Sequence, residues 1–469
     1  MCLLELQNAN SRGSSHILRH ITAVHLRFLT KRSTFAATHM LYFALHYLVR
    51  WALMVYFRRL HFIHRDRLPD GKPVVLAVNH TNAFMDPILL GSFLPRDFHY
   101  VTRGDIFGKH KVIDYLLAAL HMLPIYRFRN GIKNLRKNQQ SLEIIYNLLD
   151  RNRKVAVFAE GNCVMKKRLR PLQKGAARMA LEAAERQGFS RGLVVVPIGI
   201  NYSHYHRFRK TVTLRFGRPI AVADYRATYK QNAPLAIRQL TDQIEQQLDK
   251  QVISIRREED TLLTEQLFIL DRNSLTYSVF PVVSSSNARY ASEKRIAERV
   301  YSMDAETRTE LSGMTSRYFD RLAEHDLQDY TLVQDTAVNT LTSSFVVIGF
   351  LPYWVGRILN APPLLLADTI ANKYVKGSDF FDSVRVASGL VCYLVYLGLF
   401  IVPALLHSWW WLLAWLILPT LGYFSLVYHD IVDRWRAFRR YHRVQEAQPE
   451  LIADLQEKRA EILEDVFYE

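Results

Sequence analysis

Two long apolar runs near the carboxyl end decide which solvent part of this chain folds in. Residues 386–406 carry no charge over 21 positions, and residues 409–428 carry none over another 20. A helix of about 20 apolar residues crosses the hydrocarbon of a bilayer. Only His407 and Ser408 separate the runs, so the pair is expected to fold back as an antiparallel transmembrane hairpin over 384–430. Lys373, Lys376 and Arg385 precede it, and Arg434, Arg436, Arg439 and Arg440 follow it. Basic flanks stay on the cytoplasmic side, which puts both ends, and the tail 431–469, in the cytoplasm. Trp409, Trp410 and Trp411 at the turn suit the far interface. The plainer alternative is a buried hairpin of a soluble protein.

Ahead of the hairpin the pattern changes three times. Residues 1–39 form a basic extension with Arg12, Arg19, Arg27, Lys31 and Arg32, without the apolar core and small-residue cleavage site of a signal peptide. Composition shifts at Met40, a candidate start of the native product. Residues 40–60 are aromatic and apolar, interrupted by Arg50 and closed by Arg58 and Arg59. An unpaired Arg at mid-bilayer costs several kcal/mol, so an interfacial helix is expected there rather than a span. From 63 to 225, strand-like runs at Val74–Val78, 98–102, 122–126, 155–158, 193–200 and 212–216 alternate with helix-like runs at 87–94, 112–120, 135–149 and 175–187. That alternation predicts an α/β fold: a mostly parallel or mixed sheet with helices on both faces.

Residues 226–335 are helical and charged. Ile237, Leu240, Ile244, Leu248, Val252 and Ile255 recur at three- and four-residue steps and predict one amphipathic helix, a packing element with no chemistry of its own. Residues 336–383 are read as an interfacial or re-entrant segment, with Pro362 and Pro363 breaking the run. The formal charge of +17 demands an anionic partner. It comes without a nucleic-acid reading motif, so acidic lipid or a phosphorylated substrate is expected, and no nucleic acid. Cys2, Cys163 and Cys392 are too few and too far apart for a disulfide framework or a zinc cluster.

Four blocks in the α/β region carry candidate chemistry. In the first, the strand Val74–Val78 ends at Asn79 and His80, and Asp86 and Pro87 follow. A carboxylate beside an imidazole fixes its tautomer and supports the imidazolium that forms when the ring takes a proton. The competing reading makes Asp86 a helix N-cap ahead of Pro87. In the second block, Arg127 ends an apolar strand, where a guanidinium can grip phosphate. In the third, Glu160 and Gly161 end a strand and Lys166, Lys167, Arg168, Arg170 and Lys174 follow, a run read as anion-binding rather than as a merely solvated face. Gly161, lacking a side chain, would let a ligand approach the backbone. In the fourth, Pro197 interrupts a buried strand, as at an edge, a bulge or a cavity wall. Cys163 as a nucleophile lacks any base the sequence supplies. His204 and His206 lack a third metal ligand, so no metal is called.

In this order and spacing, over roughly residues 70–220, the blocks resemble the glycerolipid acyltransferase superfamily, which includes glycerol-3-phosphate and lysophosphatidate acyltransferases. The resemblance implies that His80 is the base, that Asp86 orients it, and that Arg127 holds phosphate. It carries Glu160 and Gly161 over as substrate-binding, and Arg103, more loosely, as an acceptor residue. It implies an acyl thioester donor (acyl-CoA or acyl-carrier protein, with no cofactor), a glycerol phosphate or lysolipid acceptor, and membrane lipids as partners. The localisation implied is a membrane with the catalytic domain in the cytoplasm. There are two departures. Five residues, not the usual four, separate His80 from Asp86, as in a branch of glycerol-phosphate acyltransferases. The third block lacks its usual Arg after Gly161, for which Arg168 or Arg170 is the candidate substitute. Another lysolipid acceptor, or a non-catalytic module that binds acidic lipid, are the rival functions.

Overall fold

The computed structural model describes residue 43 and residues 46–467, apart from 84, 95–97, 109–110, 112–113, 115–116, 118–119, 127–132, 206–207, 276–277, 279, 335–339 and 376–377. The expectations for residues 1–39, Met40, Arg127 and His206 lie outside the described residues. At the centre stands a sheet whose strands are β1 (Phe57–Ile63), β2 (Val74–Val78), β3 (Phe98–Arg103), β4 (Met122–Ile125), β5 (Lys154–Phe158), β6 (Val194–Tyr202), β7 (Lys210–Phe216), β8 (Ile220–Ala221) and β9 (Val282–Ser284). Their order is β4-β3-β5-β2-β6-β7-β1-β9, with β8 on β6. From β4 to β6 neighbours run parallel, β6 meets β7 antiparallel, and β7, β1 and β9 are again parallel.

Strand β2 shows why the sequence folds this way. All five of its residues are apolar and buried. Val74, Leu76 and Val78 face a core shared with helix α1 (Met85–Phe93), through Leu89, Leu90 and Phe93. Val75 and Ala77 face the opposite core, with helices α2 (Lys133–Asp150), α3 (Gly175–Arg186) and α4 (Ala233–Asp249). A strand covered on both faces reads as a continuous apolar run, because neither side meets water. The mixed α/β sheet with helices on both faces is therefore as expected.

The sheet reaches further than residues 63–225. The helix over 46–56 gives way to strand at Phe57, so 57–60 belong to the sheet and not to an interfacial helix. Leu53 and Tyr56 pack into the first core while Tyr47 and Trp51 stay exposed. Pro197 is not at an edge. It pairs with Ala77 inside the sheet, opposite the break between β7 and β8, and its carbonyl accepts from Gly217 N at 2.8 Å. The missing proline N–H thus falls near a gap in the neighbouring strand. Helix α4 stops at Asp249, so Val252 and Ile255 lie in the following link rather than on one long helix.

Helices α5 (Thr261–Asn273), α6 (Ala288–Ser302) and α7 (Ala305–Glu324) build a third core with α12 (Pro449–Phe467). Between α8 (Thr340–Ile348) and α9 (Phe350–Tyr374) the chain bends by 42°. Pro362 and Pro363 lie inside α9 and do not break it. Two helical stretches, Val384–Leu406 and Trp409–Ala447, are long and apolar enough to cross a membrane, or three if α8 and α9 form one bent span. Helix α9 packs against both α10 (Ser378–Gly398) and α11 (Ala414–Ala447). Buried Asn360 of α9 joins all three: its Nδ2 donates to the Leu418 carbonyl at 3.1 Å, and its Oδ1 accepts from Tyr393 Oη at 2.6 Å. Such amide bridges between apolar helices satisfy groups that lipid cannot. Asp430 at the end of the apolar part of α11 pairs with Arg58 of β1 (2.8 Å) and Arg209 (2.7 Å), which fixes the sheet to the hairpin.

Strand β1 also carries His61. Burial first, and then the nearby Arg289 and Arg59 charges, push its imidazole down to about 4. Between that value and the ordinary 6.5, the unfolded chain binds a proton that the folded chain refuses, so stability falls as pH drops through this window. His61→Leu is expected to flatten the fall in thermal midpoint between pH 6.5 and 4, measured in detergent.

Candidate active site

Strands β4, β3, β5, β2 and β6 run parallel, so their carboxyl ends gather along one edge, where sheets of this kind keep their sites. His80 lies two residues past β2, and Glu160 two residues past β5, its neighbour. On the other side of β2, Asn79 clamps β6: Nδ2 donates to the Ile200 carbonyl at 3.0 Å and Oδ1 accepts from Ile200 N at 2.7 Å. The turn that bears His80 is thus held by both flanking strands.

His80 Nδ1 lies 2.9 Å from Asp86 Oδ2. The carboxylate can only accept, which places the ring proton on Nδ1 and leaves Nε2 as a lone pair for a substrate proton. Asp86 is fully buried. Its Oδ2 also accepts from Thr81 N and Asn82 N, each at 2.9 Å, and its Oδ1 from Tyr202 Oη at 2.6 Å. Burial, and then the Asp86 charge, raise the Tyr202 phenol far above its usual range, so it stays a donor. The competition expected between capping and orienting does not arise. Asp86 is the second residue of α1, not its cap, and reaches back to the turn and the imidazole together. The tight turn over residues 81–83 brings the carboxylate to the ring across the five intervening residues. The His80 ring stacks on Phe158 at 4.0 Å between centroids and stays slightly exposed.

Glu160 is engaged by the protein itself. Its buried carboxylate accepts from the Arg170 guanidinium, from Arg170 N at 3.3 Å and from His80 N at 3.4 Å. Burial pushes its pKa up, and Arg170 counters that. Arg170 Nη2 also donates to the His80 carbonyl at 3.2 Å. Glu160 and Arg170 therefore staple the third block to the first. Gly161 is required by its backbone, at φ +73°, and the Gln173 side chain occupies the space where a Cβ would sit (2.8 Å).

The remaining basic residues divide. Lys166 is exposed and pairs with Glu258 at 2.6 Å. The Lys167 ammonium is buried, donating to Glu265 (2.5 Å) and the Ser203 carbonyl (2.9 Å). Burial, followed by the Arg272 charge, pushes it down to about 8. Arg168 and Lys174 are exposed, the latter just ahead of α3. Arg103, exposed at the end of β3, is held bidentately by Asp105 (3.0 and 2.5 Å). The charged region read as packing buries an ion network against the loop that carries Lys167. Glu293 is buried between Arg272 and Arg289, each at 2.8 Å. Burial would raise its carboxyl, but those guanidiniums override it and hold it well below the carboxylate range. Among the described residues, no group of three or more His, Cys, Asp or Glu is placed to hold a metal ion.

The family described as Acyltransferase matches residues 59–201. Those residues form a domain of the Acyltransferase family. The domain contains the His80–Asp86 pair, both clamps, strands β2 to β5 and all of β6 but Tyr202. Among curated proteins, glycerol-3-phosphate O-acyltransferase 1 of Saccharomyces cerevisiae is 22% identical over 56% of this chain and 36% of its own length. Glycerol-3-phosphate O-acyltransferase 2 of the same yeast is 25% identical over 48% of this chain and 28% of its own. An uncharacterized acyltransferase of Schizosaccharomyces pombe is 40% identical over 16% of this chain and 11% of its own. The chain thus spans about a third or less of the curated relatives it matches. The solved 1-acyl-sn-glycerophosphate acyltransferase of Thermotoga maritima aligns with 53% of this chain and 98% of that one, at 14% identity and a TM-score of 0.33.

Sequence reasoning missed three residues that build this site. Asn79 enters the sequence reading only as a strand end, Tyr202 does not enter it, and Arg170 enters only as an anion ligand. Removing one partner of a buried pair strands the other charge. Arg170→Leu is expected to cost ~3 kcal/mol, with Glu160→Gln in the same chain restoring part of it. Denaturation of the single and double variants measures this.

Proposed function

We propose that the chain moves a fatty acyl group from an acyl thioester to a hydroxyl of glycerol 3-phosphate. The observation that carries this reading is the buried Asp86 holding His80 by Nδ1, with Nε2 left open at the carboxyl edge of the sheet. His80 Nε2 takes the hydroxyl proton as that oxygen attacks the thioester carbonyl. The tetrahedral intermediate then collapses, the C–S bond breaks, and the leaving thiolate takes the proton from the imidazolium. Asp86 stabilises the cation between the two steps, and the ring returns to its starting state. No acyl-enzyme is required. The two yeast relatives named for glycerol 3-phosphate favour that acceptor. Lysophosphatidate, the other acceptor of the superfamily, is the alternative.

The apolar helices would keep this reaction at the bilayer, where an acylated product belongs, with the acyltransferase domain on the cytoplasmic side. The positive surface adds about 1 kcal/mol of attraction per basic residue near anionic headgroups. Purified chain in mixed micelles, given labelled acyl-CoA with glycerol 3-phosphate and lysophosphatidate side by side, tests the reading. Acylation of glycerol 3-phosphate is expected, falling ~1,000-fold in His80→Ala without loss of membrane association. Unchanged turnover in that variant would favour a non-catalytic lipid-binding module.

A further inference from the structure

A cavity of about 410 Å³ opens beside the third-block loop, with Arg168, Asp249, Ser254, Arg256, Arg257 and Tyr301 among its walls. Three guanidiniums there face one carboxylate. Asp249 is engaged by Arg256 at 3.4 Å, and Arg257 is tied to Asp260 at 3.7 Å and to the Tyr301 carbonyl at 2.9 Å. Arg168 is exposed and forms no salt bridge among the described residues; Glu258, close by, is paired with Lys166. The guanidiniums of Arg256 and Arg257 both lie 4.8 Å from the centre of the Tyr301 ring, which orders them without neutralising them.

The two halves of the pocket come from distant parts of the chain and are zipped together. Leu169 N donates to Ser254 Oγ at 3.1 Å, and Ile255 N to the Lys167 carbonyl at 2.7 Å. Behind that zip lies the buried Lys167–Glu265 and Arg272–Glu293–Arg289 network, so the link after α4 cannot drift from the loop. Two residues beyond Arg168, Arg170 touches the His80 carbonyl. A fixed, concave, cationic pocket is thereby joined by one short stretch of backbone to the base.

We propose that this pocket binds a phosphomonoester of one of the two substrates, an inference that rests on the acyl-transfer reading above. Guanidinium forks match phosphate oxygens in geometry and charge. Both substrates supply the group: the acceptor as glycerol phosphate, and an acyl-CoA donor as its 3′-phosphate. The pocket supplies the cationic wall that the third block lacks after Gly161.

The test uses the full chain in detergent. Calorimetry with adenosine 3′,5′-bisphosphate and with glycerol 3-phosphate measures binding without turnover. Arg168→Gln and Arg256→Gln alter exposed side chains, and each is expected to weaken one probe about tenfold. If the pocket serves the donor, the KM for acyl-CoA rises by that factor while that for acyl-dephospho-CoA does not. If it serves the acceptor, the KM for glycerol 3-phosphate rises instead. Both variants binding both probes as the unaltered chain does, with neither KM moved, overturns the proposal. Unaltered chain that binds a probe but acylates no acceptor overturns the acyl-transfer reading and leaves phosphomonoester binding standing.

Discussion

One buried carboxylate organises the carboxyl edge of the sheet. Asp86 has no water to solvate it, and a carboxylate in that position is costly unless donors replace the water. Four do: the His80 ring, two backbone N–H groups of the turn, and the Tyr202 hydroxyl. The same bonds that offset the burial shape the turn between β2 and α1. They also aim the imidazole and link α1 to β6 across the sheet. Fold and site geometry are therefore not separable here, since a change that freed Asp86 would loosen the turn as well as the imidazole.

The parallel strand order makes this arrangement inevitable once β2 is central. Its neighbours β5 and β6 end beside it, so Glu160 with Arg170 grips the His80 backbone from one side, and Ile200 grips Asn79 from the other. Further out, the helical segment after β8 is not passive cladding. Its Glu265, Arg272, Arg289 and Glu293 bury charge against the loop that carries Lys167. A paired and hydrogen-bonded buried network adds little net stability, but it is intolerant of misregistration. It holds the loop from Lys166 to Arg170 in one place, with Arg168 turned outward.

What could be read from the sequence was whatever local patterning encodes. The continuous apolar run of β2, the uncharged stretches at the end of the chain, and a His and an Asp between strand and helix were all legible. Partnerships set by tertiary contact were not. Nothing local distinguishes Lys167, buried on Glu265, from Lys166, exposed one residue earlier. Nothing local says that Glu160 would spend its carboxylate on Arg170, or that Tyr202, 116 residues from Asp86, would complete its shell. Proline was misleading twice. Pro362 and Pro363 sit within a helix packed between two others, and Pro197 sits within a sheet beside a break in its partner. In both places neighbouring elements tolerate what an isolated segment would not.

The central claim is that Asp86 acts through His80. Its most direct test is a double-mutant cycle in kcat for acyl transfer, with His80→Ala, Asp86→Asn and the pair. Groups that work as a unit are strongly non-additive. The account predicts that Asp86→Asn slows the unaltered chain severely yet slows His80→Ala little further. Losses that multiply, or an Asp86→Asn chain that turns over normally, would contradict it.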